Sequence, residues 1–193
     1  MSTMGKGRLE AFSDGVLAII ITVMVLEMKV PHGGALADLA PMLPVFLSYV
    51  LSFIDVGIYW NNHHHMLQAA RGVNATVMWA NLHLLFWLSL TPFVTGWMGE
   101  NRGAWPAALY GVDLFMAGLA YSLLLLSIRR LDPAVGRAVG RDFKGLVSVT
   151  FYLAGIGLAF VNVWLAYGCF IIPALLWLVP DRRMERVKSA SAG

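Results

Sequence analysis

Three short stretches of this chain place ionisable and hydrogen-bonding side chains where long apolar runs begin or end. Arg8, Glu10, Ser13 and Asp14 open the first run, and Trp60, Asn61, Asn62, His63, His64 and His65 close the second. Asn81 and His83 stand near the start of the third. The chemistry open to them is hydrogen bonding and proton exchange. The Asp14 carboxylate can accept from Arg8, from an imidazole N–H or from an indole N–H. In a low-dielectric setting such groups must satisfy one another, and ionisable residues at membrane depth point to function by default. Two readings stay open: a wet belt of His, Trp and Arg at headgroup level, or one network tying three helix ends together. The triplet His63-His64-His65 does not read as a metal site. Consecutive helical residues point about 100° apart, and no Cys, Glu or Asp cluster at ligand spacing joins them. No nucleophile or paired-acid constellation accompanies a His-Asp pair, so the pattern is not that of an enzyme. Asp55 and Asp113 lie deeper in apolar sequence, suited either to a wet crevice or to a subunit seam.

The elements that must position these groups follow from composition. Of 193 residues, 59% are hydrophobic and 13% charged, against about 25% charged in soluble domains. Such a chain cannot cover its own surface in water, and the bilayer is its natural solvent. A spanning helix needs about 20 mostly apolar residues. Candidate spans run from about Arg8 to Val30, Met42 to Leu67, Ala75 to Met98 and Ala104 to Ile128. The apolar stretch from Leu146 to Val179 is too long for one span and is expected to turn near Asn162, giving six helices in a single all-α domain over 1–193. The first run, interrupted by Ser13 and Asp14 and followed by no small-residue cleavage site, is expected to persist as a helix. Cys169 alone cannot form an internal disulfide and reads as packing. The segment Pro31 to Pro44 reads as an outer loop.

Basic residues set the orientation. With six spans, one side holds Lys6, Arg8, Arg71, Arg129, Arg130, Arg137, Arg141, Lys144, Arg182, Arg183, Arg186 and Lys188, twelve of the fourteen Lys and Arg residues; only Lys29 and Arg102 are opposite. The positive-inside rule makes the rich side, with both termini, cytoplasmic. The short basic tail from about 181 suits anionic lipid and not nucleic acid.

Within the first helix Ile19, Thr22, Val23 and Leu26 recur at 3/4 spacing and share a face. A symmetric ring of copies would turn Ile19 and Leu26 into apolar constrictions that gate by dewetting, with a hydroxyl ring at Thr22 between them. The same face also suits plain packing, because a helical Thr commonly bonds the preceding turn.

The stretch Arg8-Leu9-Glu10-Ala11-Phe12-Ser13-Asp14 resembles the Arg-x-x-x-Phe-Ser-Asp signature of the transmembrane protein 175 family of potassium channels. The run Ile19 to Leu26 is similar to that family too. So are Tyr59-Trp60-Asn61-Asn62-His63-His64, resembling its Trp-x-x-His-His motif, and the third-helix segments Ala80-Asn81-Leu82 and Ser89 to Phe93. Leu67 departs from a common Phe. The resemblance covers the first three helices and implies a six-helix subunit, a homotetramer as in single-repeat prokaryotic members, and passive potassium permeation along the first helix. It implies residence in a bacterial inner membrane and no cofactor beyond the permeant potassium ions. By position it makes Ile19, Val23 and Leu26 the pore constrictions and Thr22 the selectivity candidate, with Ala18 where some members have Ser. It makes Arg8, Phe12, Ser13, Asp14, Trp60, His63, His64 and Asn81 the structural polar network. The competing function is a proton- or ion-coupled secondary transporter using Asp14, Asp55 and the histidines as a relay.

Overall fold

The computed structural model describes residues 5–70, 72–133 and 143–178, and those residues form an all-α bundle. Its helices are α1 (Lys6–Leu26), α2 (Leu43–Ala69), α3 (Ala75–Glu100), α4 (Ala104–Leu131), α5 (Phe143–Leu158) and α6 (Val163–Leu178). Arg71, Arg137, Arg141, Arg182, Arg183, Arg186 and Lys188, which carry much of the orientation argument, lie outside the described residues, as does the tail from 181. The first four helices are long and apolar enough to cross a bilayer. The described parts of the last two, of 16 residues each, cover about 24 Å at roughly 1.5 Å per residue. The protein is a multi-pass membrane protein.

The expected helices form with small shifts at their ends. α1 stops at Leu26, four residues earlier than the reading to Val30. Glu27 closes it by donating its backbone N–H to Val23 O at 3.1 Å. Pro31 disfavours helical backbone at the residue before it, and Gly33 and Gly34 follow directly. The segment between α1 and α2 holds a 3-10 turn over Leu36–Met42 that leads straight into α2. Asn74 caps α3 by accepting from the Val77 N–H at 2.9 Å, satisfying one of the orphan donors of a helix start. The long apolar run does break near Asn162: α5 ends at Leu158, and Asn162 Oδ1 accepts from the Trp164 N–H at 2.9 Å to start α6.

Packing places α3 at the centre, against α1, α2 and α4, while α5 and α6 pair with each other and lean on α4. Without a hydrophobic drive between helices in lipid, close packing of small residues holds such bundles. Phe170 of α6 is fully buried against Gly111 of α4 and Gly155 of α5. A Cβ at Gly155 would fall 2.4 Å from its ring and one at Gly111 2.7 Å, so a side chain at either position would push the helices apart. At the amino-terminal end, Lys6 Nζ donates to the Gln68 and Ala70 carbonyls at 2.9 and 3.1 Å. A cation there complements the negative end of α2 and ties the start of α1 to the end of α2.

Candidate pore face and its supporting network

α1 has two unlike faces. Leu9, Ser13, Leu17, Ile20 and Met24, at helical spacing, are all buried against α2 and α3. The opposite side carries Phe12, Gly15, Ala18, Ile19, Thr22, Val23 and Leu26, all exposed in the single chain. Ile19 is 63% exposed and Leu26 75%, while Ile20, one residue on, is 4%. The four residues read as one face therefore do share one, and it has no partner in its own chain. Thr22 Oγ1 donates to the Ala18 carbonyl at 2.8 Å; its oxygen keeps a free acceptor site on that face.

The buried face is pinned by a short polar chain. Ser13 Oγ donates to the Leu9 carbonyl at 2.8 Å and accepts from Asn81 Nδ2 at 2.9 Å. Asn81 Oδ1 lies 2.6 Å from His63 Nε2. An amide oxygen only accepts, so His63 carries its proton on Nε2. Ser13 and Asn81 are fully buried and His63 is 2% exposed. Three helices are thus joined by side chains that have no water to turn to. A second contact runs alongside: Trp60 Nε1 donates to Asp14 Oδ1 at 3.0 Å, with Trp60 47% exposed. Of Asp14's candidate donors the indole is the one that meets it.

Not every residue grouped by sequence joins in. Arg8 and Phe12 are exposed. His64 bonds Gln68 Nε2 at 2.8 Å and stacks on Trp60. His83 accepts from Trp87 Nε1 at 3.0 Å along its own helix. His63 turns inward to Asn81 while the His64 and His65 rings meet edge to face at 5.7 Å, and among the described residues no group of three His, Cys, Asp or Glu side chains converges on a metal position. Asp55 and Asp113 turn out to face the interior of the subunit and not a seam: both are buried, and Asp55 borders a cleft between α2, α4, α5 and α6. Their partners, Tyr110 and Thr91, went unrecognised in sequence. The available signal was spacing: Ser52 and Asp55, like Tyr110 and Asp113, are polar pairs three apart on otherwise apolar helices.

Comparison with known proteins shows the family. Residues 8–92 match the family "Endosomal/lysosomal potassium channel TMEM175". A protein of Chryseobacterium sp. (strain P1-3) named a potassium channel is 52% identical over 187 residues, 95% of this chain and 97% of that one. The chain belongs to the TMEM175 family. The crystal structure of a lysosomal potassium-selective channel TMEM175 homolog from Chamaesiphon minutus superposes with a TM-score of 0.80 at 27% identity, covering 90% of this chain and 96% of that one. The Homo sapiens endosomal/lysosomal proton channel TMEM175 is 37% identical over 86 residues, 36% of this chain and 17% of that protein. TMEM175 proteins are ion channels and not enzymes.

Proposed function

We propose that this TMEM175 protein is a passive potassium channel of a bacterial inner membrane, built from four copies with α1 of each lining a central pore. The carrying observation is the division of α1: one face locked by Ser13, Asn81 and His63, the other apolar, exposed and without a partner in its own chain. A fixed helix with one unpartnered face presents that face reproducibly, which a pore wall needs. Around a four-fold axis, Ile19 forms the narrowest apolar ring, Val23 and Leu26 form rings beyond it, and Thr22 adds a layer of hydroxyls. An ion crossing the apolar rings sheds hydration with nothing to replace it, so conduction requires the rings to widen and wet. The names of the Chryseobacterium and Chamaesiphon relatives support potassium as the permeant ion. Six spans with both termini cytoplasmic follow from the basic asymmetry of the sequence.

Reconstitution into potassium-loaded liposomes tests the reading. A channel gives unitary current steps and potassium efflux driven by voltage alone. Saturating flux that needs a second ion gradient would instead establish the coupled transporter.

A further inference from the structure

We propose that Asp55 and Asp113 form a proton-binding site inside each subunit, apart from α1 and supplied through the cleft between α2, α4, α5 and α6. The inference does not depend on which helix lines the pore. Tyr110 Oη donates to Asp55 Oδ2 at 3.3 Å and lies 3.1 Å from Ser52 Oγ, which in turn is 2.7 Å from Thr95 Oγ1. Thr91 Oγ1 donates to Asp113 Oδ2 at 3.0 Å, while Asp113 Oδ1 is buried with no hydrogen-bond partner among the described residues. Both acids and all four hydroxyl residues are at least nine-tenths buried.

The charge balance decides what such a site holds. The groups acting on Asp55 are the Tyr110 hydroxyl and Asp113; the one hydrogen-bonding to Asp113 is Thr91. Among the described residues, none of the groups acting on either carboxyl is cationic. A carboxylate buried in an apolar bundle without a counter-charge does not stay ionised; each of these two must take up a proton or a cation. The Ser52, Thr95 and Tyr110 hydroxyls close on one another and on Asp55 at 2.7–3.3 Å, the spacing of a hydrogen-bonded chain, which suits a proton.

Access runs through the cleft. The cleft is lined by Asp55, Tyr59, Asn62, Ser122, Ser148 and Tyr152, among others, and has a free volume of about 40 Å³. One water needs roughly 10–15 Å³ by that measure. Asn62 and Ser148 lie toward the bundle end that carries the amino terminus, the end assigned above to the cytoplasm. The titratable groups around the site are Tyr59 of α2, Tyr110, Asp113 and Tyr121 of α4 and Tyr152 of α5. Lys144 lies farther out on α5, its ammonium donating to the Leu176 carbonyl at 3.2 Å. α3 contributes the hydroxyls of Thr91 and Thr95, and α6 contributes Trp177, which does not titrate.

Infrared spectroscopy of the full-length protein in liposomes tests this without any flux measurement. The unaltered protein should show protonated-carboxyl absorption at neutral pH that shifts promptly in deuterated water. Asp55→Asn and Asp113→Asn should each remove one component. Should either variant fail to fold, the unaltered protein still decides. Absence of a protonated-carboxyl band at neutral pH overturns the proposal, as does a band that resists deuterium. A band that disappears on adding sodium at constant pH would also overturn it and make the site a cation site.

Discussion

The two faces of α1 carry similar apolar side chains and meet opposite surroundings. Leu17 and Ile20 are sealed against α2 and α3, while Ile19 and Leu26 are 63% and 75% exposed. Hydropathy cannot tell these faces apart, because lipid accepts either. What separates them is where the polar groups go: Ser13 turns inward to Asn81, and Thr22 remains on the open side with only its own turn for company. If the inner face is a structural surface and the open one lines the proposed pore, substitutions should divide along that line.

The largest effect on folding should come from the inner face. Asn81→Leu strips His63 of its hydrogen-bond partner and should cost about 1–3 kcal/mol, as for a buried polar group left unsatisfied. Loss of the assembled oligomer on heating in detergent would register it. Leu17→Ala should cost on the order of 1–3 kcal/mol, below the usual soluble-core value because lipid does not penalise exposed leucine as water does. The same truncation at Ile19 should leave thermal stability nearly unchanged. Equal losses at positions 17 and 19 would erase the distinction between the faces.

On the outer face, Thr22→Ala removes a hydroxyl and little width. It should alter the ratio of potassium to sodium permeability, read from reversal potentials in mixed salts, more than total current. A change in current with an unaltered ratio would assign Thr22 to packing.

The smallest effect belongs to a contact outside both faces. Lys29 Nζ meets Glu100 Oε1 at 2.7 Å with both side chains exposed. The Glu100 hydrogen bond and charge hold the lysine above its usual pKa, so whatever the pair contributes is present at neutral pH and lost as pH rises through that raised value. Exposed pairs are screened by solvent. Lys29→Gln should therefore leave the Tm at pH 7 within error, and a drop of several degrees would mean that the outer loop is clamped more firmly than its exposure indicates.

Much of this was legible in sequence because a bilayer narrows the choices. Apolar length and basic asymmetry are enough to expect six helices and the turn near Asn162, and the 3/4 spacing is enough to group Ile19, Thr22, Val23 and Leu26. Partner choice across helices was not legible. Asp14 had three plausible donors, and only the packed bundle brings Trp60 to it. His64 turns to Gln68 one turn away, and Arg8 stays exposed, because near a helix end local partners and solvent compete well with a distant one. Asp55 and Asp113 lacked visible partners for the opposite reason: Tyr110 is 55 residues from Asp55 and Thr91 is 22 from Asp113.

The central claim is that the open face of α1 is the gate, and one substitution pair addresses it directly. Ile19→Asn places an amide in the proposed apolar ring and should wet it, raising leak current in liposomes while the tetramer stays intact. Ile20→Asn, about 100° around the helix and buried at 4% exposure, should instead weaken folding without such a leak. Unchanged current in an intact Ile19→Asn tetramer would contradict the account and remove α1 from the gate.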